Sequence, residues 1–96
     1  MAARGTVLVV EDSPVQALAL EQLLEQKGLQ VLRAADGRAG VAMAERYVPD
    51  AIVLDIQMPE MDGLEACRRL RQSPRTRHIP IVMLTAHTEP AMLLQG

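Results

Sequence analysis

Glu11 and Asp12 stand side by side, Asp55 follows much later, and Thr85 offers a hydroxyl beyond it. If folding brings them together, three carboxylates repel one another at neutral pH, and something must neutralise them. A hard divalent cation with oxygen ligands does so, and Mg²⁺ suits a few carboxylates, several waters and often a phosphate oxygen. Such a site with one carboxylate able to act as nucleophile fits phosphoryl transfer, with an aspartyl phosphate as product. Thr85 would then donate its hydroxyl to a phosphoryl oxygen. Each residue also has a plain structural reading. A carboxylate ends a strand or caps a helix, and Thr85 is a β-branched strand residue. What decides is whether the surrounding elements deliver these side chains to one place.

The spacing predicts that they do. Ala51-Ile52-Val53-Leu54 is a short unbroken apolar run between Asp50 and Asp55. It is too short for a buried helix and too apolar for a half-exposed strand, so it reads as a strand covered on both faces. Thr6 to Val10 is a second such run and ends in Glu11-Asp12. Gln30 to Ala34 is a more mixed strand, as expected near a sheet edge, and Pro80 to Thr85 is a fourth. Helices are predicted between them. Ser13 caps the first, with Pro14 at its first position, Val15, Leu18, Ala19, Leu23 and Leu24 as its apolar face, and Gly28 as its stop. The second starts at Asp36-Gly37, with Val41, Met43 and Ala44 as a modest apolar face and Gly40 weakening it. The third starts at Asp62-Gly63, with Leu64, Cys67 and Leu70 buried and Arg68, Arg69 and Arg71 in solvent. A last helix starts near Thr88.

Strands alternating with helices imply right-handed crossovers and a parallel sheet with helices on both faces. In the flavodoxin-like order the first and third strands are neighbours, and ligands gather at the carboxyl edge where the order switches. Glu11, Asp12 and Asp55 then converge.

The chain has 96 residues, enough for one domain spanning 1–96. Almost half of it is hydrophobic, but Tyr47 is the sole aromatic residue, so the core is aliphatic and base stacking on aromatic side chains is nearly excluded. A net charge of −2 argues against a dedicated nucleic-acid or anionic-membrane binder. Cys67 is the one cysteine, which fits a reducing cytoplasm and precludes an internal disulfide. No signal peptide or membrane-spanning run is legible. His78 and His87 fall outside the acid cluster, and Arg75, Arg77 and His78 read as a solvated loop. No glycine-rich phosphate loop follows the first strand, which argues against a nucleotide-binding protein.

The combined pattern resembles the receiver domain of two-component response regulators over essentially the whole chain. The residues that carry the resemblance are Glu11-Asp12 after the first strand, Asp55 followed by Met58-Pro59-Glu60-Met61-Asp62-Gly63, and Pro80 to Leu84 leading into Thr85-Ala86. The resemblance implies that Asp55 accepts a phosphoryl group from the phosphohistidine of a sensor histidine kinase or a phosphotransfer protein. It implies Mg²⁺ held by Glu11, Asp12, Asp55 and the main-chain carbonyl of Gln57. It implies that Thr85 turns toward the phosphoryl group, beside the backbone N–H of Ala86. The chain is expected to be a signalling module rather than an enzyme.

The resemblance also implies five βα units, whereas this sequence runs only into the fourth helix. A fifth strand with its phosphate-binding lysine has no counterpart; the one lysine, Lys27, ends the first helix. The expectation is an incomplete receiver whose Ile81–Leu84 edge and first-helix surface are left uncovered, giving a homodimer or swapped assembly. Two alternatives stand beside this reading. One is a degenerate receiver that acts only by dimerisation. The other is a phosphatase of the haloacid dehalogenase type, which wants a second Asp two residues after the nucleophile, where this chain has Gln57.

Overall fold

The computed structural model describes residues 5–55 and 63–84. In chain order the elements are β1 (Thr6–Val10), α1 (Pro14–Gln26), β2 (Gln30–Ala34), α2 (Gly37–Tyr47), β3 (Ala51–Asp55), α3 (Gly63–Gln72) and β4 (Ile81–Leu84). All pairings are parallel and the strand order is β2-β1-β3-β4. This is the flavodoxin-like arrangement expected from the sequence. The registers Val10↔Ala34 and Val10↔Leu54 bring the ends of the three strands level, so the residues after β1 and at the end of β3 meet.

Alternation along the strands sorts their side chains to two faces. Leu8, Val10, Ile52 and Leu54 share one core cluster with Ala44 of α2 and Ala66 and Leu70 of α3. Leu8, Ile52 and Leu54 have no exposed surface; truncating any of them to Ala should cost about 2–5 kcal/mol. Val7 and Val9 face the other way, toward α1, which packs on β1 and β2. Coverage on this side fades across the register Val9↔Val53↔Val82: Val9 is fully buried, Val53 partly, and Val82 is 53% exposed.

The helix ends follow their sequence signals. Ser13 Oγ accepts from the Gln16 N–H at 3.4 Å, and Asp36 Oδ1 accepts from the Ala39 N–H at 2.8 Å. α1 ends with the Leu29 N–H donating to the Leu24 carbonyl and the Gly28 N–H to the Glu25 carbonyl. This closure needs a left-handed residue, and Gly28 supplies it with φ 86°.

Two helix faces differ from their predicted phase. In α1, Ala17 is the buried residue, and Leu20, Glu21 and Leu24 are half-buried, whereas Val15, Leu18 and Leu23 are exposed. In α3, Gly63, Ala66 and Leu70 are buried, Cys67 is half-buried, and Leu64 is 62% exposed. Both helices turn a small residue to their neighbours, which allows close approach, and leave a larger one outside. Gly40, expected to weaken α2, lies against β1: a Cβ there would stand 2.7 Å from Val10 Cγ2. The fourth helix predicted from Thr88 lies outside the described residues.

Candidate functional site

β1 and β3 are central neighbours and run parallel, so both release their chains at the same edge. Glu11 follows β1 directly, and its backbone N–H donates to the Ala34 carbonyl at 3.0 Å, which continues the β1–β2 ladder by one residue. Its side chain turns back to accept from the Ser13 N–H at 3.1 Å, in the turn that opens α1. Asp12 is exposed beside it, and Asp55 closes β3, only 4% exposed. One carboxylate oxygen from each of Glu11, Asp12 and Asp55 lies within 4.8 Å of the others. The sequence-predicted convergence of these acids is therefore present in the fold.

Packing three carboxylates this closely has an electrostatic consequence. Burial raises the Glu11 pKa from 4.5 to about 7, against the lowering effect of the Ser13 N–H. A shared hydrogen bond with Asp55, the charge of Asp55, and a hydrogen bond with Asp12 add to the rise. The donor set is all oxygen, with one exposed member that opens the site to solvent. That composition fits a hard cation such as Mg²⁺, which keeps several waters, and not a softer metal that prefers sulfur or imidazole.

Gln57, Thr85 and Ala86 lie outside the described residues, and so does Asp62, the expected cap of α3. Lys27 caps the far end of α1, away from the acid edge. His78 is exposed.

The basic loop is more tied down than a solvated reading suggests. Arg75 Nε donates to the Glu45 carbonyl at 2.8 Å, and Arg71 Nη1 donates to the carbonyls of Arg77 and Ile79. Thr76, fully buried, donates its hydroxyl to the Leu70 carbonyl at 2.7 Å and closes α3. Arg68 and Arg69 are exposed as expected, and both pair with Glu65. Sequence reasoning also passed over Arg33. It projects from β2 beside the acid edge, and its Nη1 lies 3.2 Å from Glu21 Oε1 on α1. A lone arginine in a mixed strand carries no signal of this by itself; only the β2–α1 contact does.

A parallel α/β sheet with an acid cluster at its switch point defines a class of domain that gathers its ligands at one edge of the sheet, here an edge with a donor set that could hold a metal ion. Comparison with known proteins narrows this to a family. A profile described as the response regulator receiver domain matches residues 7–96. The chain is 46% identical over 90 residues to the response regulator PleD of Caulobacter vibrioides, covering 94% of this chain and 20% of that protein. It is 40% identical over 79 residues to protein PilH of Pseudomonas aeruginosa, covering 82% of this chain and 65% of that one. Among solved structures, the receiver domain of a Pseudomonas aeruginosa sensor histidine kinase, with a magnesium ion coordinated in its active site cleft, superposes with a TM-score of 0.85. The two are 36% identical, and the match covers 99% of this chain and 79% of that one. The N-terminal domain of a response regulator receiver protein from Methanoculleus marisnigri gives 0.86 at 35% identity, over 97% and 76% of the two chains.

The chain belongs to the response regulator receiver domain family of two-component signalling. It spans a fifth of the length of PleD and about two thirds of PilH.

Proposed function

We infer that this domain is a phosphoacceptor. Asp55 takes a phosphoryl group, in the presence of Mg²⁺, from the phosphohistidine of a sensor histidine kinase or phosphotransfer protein. The observation that carries this reading is the buried Asp55 at the end of a central strand, with Glu11 and Asp12 within 4.8 Å. Family membership supports it, as does the magnesium ion in the cleft of a structural relative.

The residues divide the work. Glu11, Asp12, Asp55 and the Gln57 carbonyl would hold Mg²⁺, which when bound offsets negative charge on the phosphoryl oxygens and the carboxylates. Asp55 supplies the attacking oxygen. β3 holds its backbone in a hydrogen-bonded ladder, so the carboxylate is positioned before the donor arrives. Glu11 is fixed by the Ser13 N–H and keeps its partner acids at a set distance. Thr85 and the Ala86 N–H are assigned to the phosphoryl oxygens. The domain acts in the cytoplasm as a signalling module rather than as a turnover enzyme.

Intact-mass measurement after incubation with acetyl phosphate and Mg²⁺ tests this. A labile gain of one phosphoryl group is expected, absent without Mg²⁺ and absent in Asp55→Asn. An adduct of equal yield in that variant overturns the assignment.

A specific observation favours self-association as well. Val15 is 78% exposed, and Leu18 and Val82 are each about half exposed. We therefore assign the domain a homodimeric state in solution, as an addition to phosphoacceptance and not a substitute for it.

A further inference from the structure

We propose that the amino edge of the sheet, where α2 and α3 end, is a docking surface for an acidic polypeptide segment, with Arg46, Arg75 and Arg77 as the groups that hold it. The proposal is independent of the phosphoacceptor reading.

The strands are parallel, so the α2–β3 and α3–β4 connections lie at the edge opposite Glu11, Asp12 and Asp55. β3, five residues long, separates the two edges by about 15 Å at roughly 3.3 Å per residue. That is roughly two Debye lengths at physiological salt, so the acid cluster does not neutralise charge at the far edge.

The charge there is positive. Residues 68–77 hold five arginines and no acid, half of all the lysines and arginines in a chain of net charge −2. Arg68 and Arg69 pair with Glu65 along α3. Among the described residues, Arg46, Arg71, Arg75 and Arg77 pair with no carboxylate. Asp50, the first acid after α2, accepts instead from the Thr6 N–H at 2.7 Å.

Two of these arginines are held in place. Arg75 Nε donates to the Glu45 carbonyl at 2.8 Å, which ties the α3–β4 connection to the end of α2. Arg71 Nη1 donates to the carbonyls of Arg77 and Ile79, which pins the loop that carries Arg77. Capping alone explains these bonds, since cations suit the carbonyl end of a helix. It does not explain the remainder. Bonding through Nε leaves the two terminal nitrogens of Arg75, a pair that can grip a carboxylate side by side. The side chains of Arg46 and Arg77 are exposed and donate no hydrogen bond among the described residues; the Arg46 guanidinium lies 5.4 Å from the Tyr47 ring centroid. A surface whose loop is fixed beforehand loses less freedom when a partner arrives.

The kind of partner follows from this layout. The cations are spread over two connections, which suits an extended ligand with several carboxylates rather than one small anion. Tyr47 is 52% exposed and Val48 39%, and together they offer an apolar rim to a side chain within that segment. A nucleic acid fits less well, because the chain is acidic overall and has one aromatic residue on which a base could stack.

The test is fluorescence anisotropy of a labelled octaglutamate peptide titrated with the whole chain at low salt. Saturable binding is expected, weakening as salt is raised. Arg46→Gln with Arg77→Gln should weaken it about tenfold, at roughly threefold for each exposed charge-assisted contact removed. The melting temperature of that double variant should stay unchanged, which separates docking from capping. Arg33→Gln with Arg38→Gln makes the same change in net charge near the opposite edge and should shift the affinity less than twofold. Arg75→Gln should weaken binding and also lower the melting temperature, because it opens the Glu45 cap. Failure of the unaltered chain to bind octaglutamate overturns the proposal. So does an equal loss in the Arg33 and Arg38 pair, or normal binding by the Arg46 and Arg77 pair. Tighter binding of a labelled oligothymidylate with eight phosphates would assign the patch to nucleic acid and overturn it as well. A dimer in light scattering that the Arg46 and Arg77 changes dissolve would give the patch to a second copy, with the same consequence.

Discussion

Glu11 is where the proximity of like charges is most visible. Its proton is held more tightly in the folded domain than in the unfolded chain, because its pKa rises from 4.5 to about 7 on folding. Without a cation, its contribution to stability is therefore full below about pH 4.5 and is lost as pH rises through about 7, a loss on the order of 1–3 kcal/mol. A cation reverses the preference, since it binds the ionised carboxylate. Thermal melts at pH 5 and pH 7.5, with and without Mg²⁺, should show this. Stabilisation by Mg²⁺ should be larger at pH 7.5, and Glu11→Gln should flatten the metal-free pH dependence between the two values. Equal Mg²⁺ stabilisation at both pH values would show that the Glu11 proton and the ion do not compete. Asp12→Asn and Asp55→Asn should each weaken Mg²⁺ binding in a direct titration, because each removes a ligand charge. At this scale the sequence was informative wherever a residue sat at a strand end. Glu11, Asp12 and Asp55 were legible because short apolar runs deliver them to one edge. Arg33 and Thr76 were not, because each depends on a contact between separate elements: Arg33 with α1, Thr76 with the last turn of α3.

The elements were legible in kind and order, and less so in rotation. Three strands announced themselves as apolar runs and β2 as a more mixed one, and Ser13, Asp36 and Gly28 marked helix boundaries that the hydrogen bonds bear out. The faces of α1 and α3 were misphased because hydrophobicity favours Leu64 over Gly63 and Leu18 over Ala17. Packing against the rest of the fold favours the smaller residue, which lets the backbones come close. Leucine recurs around much of α1, so no narrow stripe specifies its rotation. The end of α2 holds a different surprise. Val48 takes φ 46° and ψ 66°, the left-handed region, which a β-branched residue enters at a cost of about 1–2 kcal/mol. Val48→Gly should relieve that strain, offset in part by the greater freedom of glycine in the unfolded chain. A net gain of about 0.5–1 kcal/mol in a denaturant melt is expected, and a loss would mean that the partly exposed valine side chain contributes more than its backbone costs. Thr76→Val should be destabilising by about 1–3 kcal/mol in the same measurement, because the Leu70 carbonyl is left without its buried donor.

At the scale of the molecule, the two faces of the sheet are unequally covered by the described helices. α2 and α3 close one face around a continuous aliphatic core, while on the other, among the described residues, α1 packs mainly on β1 and β2. Among the described residues β4 pairs with β3 alone, and Val82 is half exposed on the same side as the exposed Leu18 and Val15 of α1. Light scattering coupled to size exclusion at micromolar concentration should report a dimer, and Leu18→Glu or Val82→Lys should shift it toward monomer. A monomer that unfolds cooperatively would show that this face needs no second copy. No helix among the described residues is long and apolar enough to cross a membrane. On the proposed phosphoacceptor function the fold serves above all to hold one carboxylate at a fixed place, and that is open to direct chemical mapping. After treatment with acetyl phosphate and Mg²⁺, borohydride reduces an aspartyl phosphate to homoserine, and peptide mass spectrometry locates it. The account predicts homoserine at position 55 and at no other aspartate. Homoserine at Asp12 or elsewhere, with Asp55 recovered intact from a phosphorylated sample, would contradict it.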